Sequence, residues 1–132
     1  MKAIRLTYFA LLLLGFLLCS CKTGEKTPID IQHDAVMAIH DEVMPKMRDI
    51  YKLKKQLKKS TGSELEVVQN SIAQLEKADD MMMDWMAEYK KPKASNPDAM
   101  SYLASELQKV DIVKSTMLTA ISNAENILSS ND

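Results

Sequence analysis

The sequence predicts an all-α protein: an antiparallel up-down-up three-helix bundle of long, coiled-coil-like helices behind an N-terminal export segment. Three observations predict it. Apolar side chains recur at alternating spacings of four and three through most of residues 28–132, the 3.5-residue period of helices that pack knobs into holes. Helix start and stop signals punctuate that stretch three times. Composition agrees, because 132 residues with 10 Met, 3 Gly and 5% aromatics are hard to reconcile with a β-rich or nucleotide-binding α/β fold. A dimeric coiled coil is the competing architecture.

Residues 1–20 read as a signal peptide. Lys2 and Arg5 precede an apolar run over 6–18, which suits a signal core and is shorter than the ~20 residues of a membrane-spanning helix. The run ends in Leu18-Cys19-Ser20-Cys21, which resembles a bacterial lipobox. That resemblance implies a diacylglyceryl group on Cys21, cleavage before it and acylation of the new amine by a fatty acid such as palmitate. Several acyl chains anchor a protein stably. Cys19 and Cys21, one residue apart, fit neither a disulfide framework nor zinc spacing. Lys22 follows the lipid site where inner-membrane retention uses aspartate, so the outer membrane is favoured, with its periplasmic or surface face open. Losing Lys2 and Arg5 moves the formal charge from −1 to −3, which does not suit a nucleic-acid binder working through a basic field.

Residues 21–27 form the lipidated start and a polar tether, and 28–132 the bundle domain. Thr27-Pro28-Ile29-Asp30 offers an N-cap hydroxyl, proline at N1 and a carboxylate at N3, predicting a first helix over 28–60. Ser60-Thr61-Gly62 closes it. Ser63-Glu64-Leu65-Glu66 is a capping box for a second helix over 64–91, stopped by Pro92. Asn96-Pro97-Asp98 starts a third over 97–129. The 4-3 positions are Ile29, His33, Val36, His40, Val43, Met47, Ile50, Lys54 and Leu57; then Leu65, Val68, Ile72, Leu75, Asp79, Met82, Met86 and Tyr89; then Leu103, Leu107, Val110, Lys114, Met117, Ile121, Ala124 and Leu128. Short connections make neighbours antiparallel. Pro45 removes a backbone donor inside the first helix and predicts a kink beside His40.

His40, Asp79 and Lys114 interrupt the apolar pattern, one per helix. They either fix register while snorkelling to water, or form a buried polar site in which Lys114 or a protonated His40 holds Asp79.

The first helix repeats itself seven residues apart, as His33-Asp34-Ala35-Val36-Met37 and His40-Asp41-Glu42-Val43-Met44. The second copy continues into HDEVMPKM and RDIYKLKKQLKK, and residues 81–89 read MMMDWMAEY. In these runs the chain resembles a family of short Bacteroidota-type lipoproteins of unknown function, often named after viral A-type inclusion proteins through generic coiled-coil similarity. The resemblance implies an envelope location and a helical fold, and no mechanism.

His33, Met37, His40, Met44 and Met47 fall within about 80° on a helical wheel. Imidazole and thioether donors suit Cu(I) or Ag(I), and Met82, Met83 and Met86 lie at the same level of the second helix. The competing reading is core packing, the usual use of a Met stripe. Zinc held by the two histidines with Asp34 or Asp41 is disfavoured, since those carboxylates point off the stripe. Haem is disfavoured because no c-type attachment sequence is present. No catalytic elbow, triad sequence or phosphate loop occurs, and the chain reads as no enzyme.

Met81, Met82, Trp85 and Tyr89, with Ala78, form an apolar band beyond the core stripe of the second helix. Such a band marks a contact surface for an envelope protein, a second copy or the lipid headgroup zone, unless the other two helices cover it. Lys52, Lys54, Lys55, Lys58 and Lys59 complement the dipole at the first helix's C-terminus, or face an anionic envelope ligand. The function these features imply is a lipid-anchored interaction or structural module, with periplasmic Cu(I) or Ag(I) binding as the alternative.

Overall fold

Thr27 opens the first helix as its sequence requires. In the computed structural model, which describes residues 25–60 and 64–130, the Thr27 hydroxyl accepts from the Asp30 amide at 3.2 Å, and the Asp30 carboxylate accepts from the Thr27 amide at 3.3 Å. This reciprocal box, with Pro28 at the first helical position, starts α1 at Pro28–Val43. The signal segment predicted over residues 1–20 and the lipidation candidate Cys21 lie outside the described residues.

The single helix expected over 28–60 is instead two. Proline at position 45 has no amide to give the Asp41 carbonyl, so α1 ends at Val43 and α2 runs Lys46–Leu57. Met44 and Pro45 keep right-handed helical dihedrals. Hydrogen bonding tightens there to three-residue steps, Met47 N–H to the Met44 carbonyl at 3.2 Å and Arg48 N–H to the Pro45 carbonyl at 3.3 Å. The helix is interrupted at residues 44 and 45 and then resumes.

α3 spans Leu65–Glu88 and α4 spans Ala99–Ser129. Ser63, expected to cap α3, lies outside the described residues; Glu64 takes the cap position without a side-chain bond. α3 ends ahead of Pro92, because Tyr89 turns to extended backbone. α4 begins two residues later than Pro97 suggests. The Asn96 side chain accepts from the Asp98 amide at 3.0 Å, an Asx turn that competes with helix.

The described residues form an all-helical bundle in which α4 packs against α1, α2 and α3, and α2 also packs against α3. The deepest side chains fall at intervals of seven: Val36, Val43, Ile50 and Leu57; Leu75 and Met82; Leu103, Val110, Met117 and Ala124. α3 and α4 each bury a second stripe with the same period, through Ser71, Ala78 and Trp85, and through Ala99, Glu106, Val113 and Ala120. Small side chains dominate this stripe. Leu65, expected in the core, is 72% exposed because it is the first residue of α3 and extends past the packed length. No helix among the described residues is long and apolar enough to cross a membrane.

Candidate functional site

Large rings gather where α1, the end of α3 and the start of α4 meet. Trp85 is central. Its ring centroid lies 5.6 Å from that of His40 and 4.9 Å from that of Tyr89. Tyr89 in turn lies 5.9 Å from His33 and 6.3 Å from Tyr102. Helical spacing builds the cluster, since Tyr89 caps α3 one turn after Trp85 and 33 and 40 share a face of α1. Three polar atoms of these rings bond to neighbours. The Tyr89 hydroxyl and His33 Nδ1 are 2.6 Å apart, and the Tyr102 hydroxyl accepts from the Lys90 amide at 3.1 Å. Burial pushes the Tyr89 phenol above its usual range, with the nearby Tyr102 and Glu106 adding to the effect.

The Trp85 indole N–H donates to Glu106 Oε2 at 3.0 Å. Glu106 is only 4% exposed, and its other oxygen accepts from Lys109 at 2.8 Å. This bond raises the Lys109 ammonium pKa. Nothing in the sequence pattern singled out Glu106. The retrospective signal is its place in the 99–106–113–120 series, where a carboxylate at a core position needs a donor across the interface.

The contact surface expected at Met81, Met82, Trp85 and Tyr89 is corrected. Met82 is 0% exposed, Trp85 6%, and Met81 and Tyr89 are half-buried against the core. The band that exceeds a single heptad stripe is wide because α3 is flanked by α1 and α2 on one side and α4 on the other. Ala78, in the same band, is buried too.

The polar trio is also rearranged. His40, Asp79 and Lys114 are half-buried, not buried, and none of them pairs with another. Asp79 lies 3.7 Å from Lys54, Lys114 reaches Glu42 at 2.7 Å, and His40 Nδ1 meets Asp41 at 2.8 Å. His40 sits level with 85 and 86, about two turns from Asp79. The long lysine arms reach carboxylates at the bundle edge, where charge stays hydrated. Lys54, expected on the core stripe, sits between Asp79 and Glu76.

The helix-one donor stripe does not converge on one point. His33, Met37, His40, Met44 and Met47 are all half-buried, but His33 is engaged by Tyr89 while His40 turns to α3. Seven residues also set the two rings' backbones about 10 Å apart along the axis. His40 Nε2 instead approaches the Met86 sulfur at 3.4 Å. Among the described residues no three His, Cys, Asp or Glu side chains converge as a metal site.

The opposite end of α2 keeps its basic character, with Lys54, Lys55, Lys58 and Lys59 lining a shallow groove beside the exposed Tyr51. A second open groove, between α3 and α4, is lined by Gln74, Lys77, Thr116 and Asn123. Neither holds a recognisable catalytic arrangement. Comparison with family models, curated proteins and solved structures finds no match to the chain.

Proposed function

We propose that the chain is a lipid-anchored module of the bacterial cell envelope, a non-catalytic rod that spaces or binds other envelope components. One observation carries this reading: the interior is filled by side chains at seven-residue intervals, from Val36 to Leu57 and from Leu103 to Ala124. A core of that kind gives a rigid, regular rod and leaves little space for a substrate. The finer architecture we propose is up-down-up and coiled-coil-like. It is supported by cross-helix pairs whose numbers run in opposite senses, His33 with Tyr89 and Lys54 with Glu76, then Gln74 with Asn123 and Trp85 with Glu106.

The anchor is Cys21, read from the lipobox-like end of the apolar run, and the outer membrane is the favoured destination. With Met82 and Trp85 enclosed, recognition of an envelope protein or a second copy falls to exposed side chains such as Ile31, Met83 and Met100. Metabolic labelling with an alkyne analogue of palmitate tests the anchor. The parent chain is expected to carry the label and to sediment with membranes, and Cys21→Ala to lose both properties. Label retained by Cys21→Ala, or an unlabelled and uncleaved parent, refutes the anchoring. A photo-crosslinking residue at position 83 tests the interaction surface in intact cells. A discrete adduct supports it, and absence of any adduct there and at position 100 refutes it.

A further inference from the structure

The sulfur of Met86 and Nε2 of His40 face each other at 3.4 Å between α3 and α1, a contact that a proton on Nε2 closes as an N–H···S hydrogen bond and that a soft metal ion also fits. His40 Nδ1 lies 2.8 Å from an Asp41 carboxylate oxygen. A carboxylate oxygen accepts, so Nδ1 carries the ring proton. In the neutral ring Nε2 then presents a lone pair, and so does the thioether it faces. In that tautomer two donor atoms lie close enough to share one electrophile, a proton or a soft metal ion. At bond lengths like those of zinc, about 2.0 Å to nitrogen and 2.3 Å to sulfur, an ion bridging the 3.4 Å separation subtends about 104°, and longer bonds narrow that angle.

We propose that His40 and Met86 are the two fixed ligands of a soft monovalent metal site, for Cu(I) or Ag(I), that joins α1 to α3. Met44 supplies the third donor. It is half-buried against the core, one turn beyond His40, and a helical side chain leans back over the preceding turn. Met37, three residues before His40, leans the opposite way, toward His33. Imidazole with thioethers is a donor set that selects Cu(I) over oxygen-seeking ions. Asp41 is a positioning residue: its carboxylate fixes the tautomer and aims Nε2, the arrangement common behind metal-bound histidines. The Trp85 ring, with its centroid 5.6 Å from that of His40 and its indole N–H tied to Glu106, packs against the site on α3. The site spans two helices, which answers the open geometry of the one-helix stripe. It rests on the packing of the bundle and not on the anchoring proposed above.

The chain contains one tryptophan, so Trp85 fluorescence reads the site directly. The full chain carrying Cys19→Ser and Cys21→Ser, so that no thiol competes for a soft ion, is titrated in detergent with Ag(I) in chloride-free buffer, with Zn(II) as the contrasting ion. Saturable quenching at one Ag(I) per chain is expected, with Zn(II) causing none at equal concentration. His40→Ala and Met86→Leu are each expected to weaken binding by more than about tenfold, and Asp41→Asn by about tenfold; His33→Ala leaves it unchanged. Met86→Leu keeps side-chain volume, and an unaltered circular-dichroism spectrum confirms that it folds. Methionine methyl NMR gives a second readout: the Met86 and Met44 resonances shift with Ag(I), and that of Met117, buried in the core, does not. Absence of saturable quenching, equal binding by Met86→Leu, or equal weakening by His33→Ala overturns the site.

Discussion

Glu106 and Trp85 form a buried charge-assisted hydrogen bond whose strength can be isolated. The indole N–H meets Oε2 at 3.0 Å, and the carboxylate is almost fully enclosed. Trp85→Phe keeps most of the ring and removes the donor; Glu106→Leu keeps similar volume and removes the acceptor. A hydrogen bond to a charged group contributes about 1.5–3 kcal/mol, and a buried polar atom stripped of its partner costs about 1–3 kcal/mol. Each single change should therefore destabilise the bundle by about 2 kcal/mol, or about 10 °C in Tm for a domain of roughly 100 residues. The bond from Lys109 recovers little of this, because the lysine side chain is 55% exposed and solvent screens it. The double variant removes both partners together, which leaves nothing unsatisfied. Its cost should fall short of the sum of the singles by about 2 kcal/mol. Thermal unfolding followed by circular dichroism for all four proteins measures that coupling. Additivity within about 0.5 kcal/mol would refute the claim that the two side chains depend on each other.

Three further outcomes follow from the same packing. Among the described residues the buried Ser71 hydroxyl has no hydrogen-bond partner, so Ser71→Ala should stabilise by about 1 kcal/mol in chemical denaturation; a loss of stability would contradict this. Met82→Ala should cost about 2–5 kcal/mol, as a core cavity does, whereas a change within about 0.5 kcal/mol would return Met82 to the surface. Lys91, and then Thr27, bond Asp30 and hold its carboxyl down at about 2. A carboxyl depressed in the folded state contributes stability above its unfolded value near 3.8, and that contribution disappears as pH falls through about 2. Asp30→Asn should flatten stability between those pH values in acid titrations, and an unchanged acid limb would count against the Lys91 contact.

Much of the fold was legible because its signals act within a turn or two of chain. Thr27, Pro28 and Asp30 specify a helix start by bonds they make with each other, and Pro45 interrupts a helix by lacking an amide. The same locality explains the boundary differences. Asn96 chose an Asx turn over a cap, a competition between two short-range bonds that spacing alone does not decide. The site was less legible. A helical wheel places His40 on the same face as His33 but cannot say that one turns to Tyr89 and the other to Met86. Asp79 and Lys114 interrupt apolar stripes, yet the reach of a lysine arm decided their partners.

The sequence by itself determined that this chain is helical, that the first helix starts at Thr27-Pro28 and is disturbed at Pro45, and which side chains recur every seventh position, because backbone propensity, capping and periodicity are properties of near neighbours. Only the tertiary structure decided that Met82 and Trp85 are enclosed, that Glu106 lies in the core, and that an imidazole faces a thioether across two helices. Those outcomes depend on the register of the helices against one another, which sets atoms of residues 46 positions apart in the chain 3.4 Å from each other.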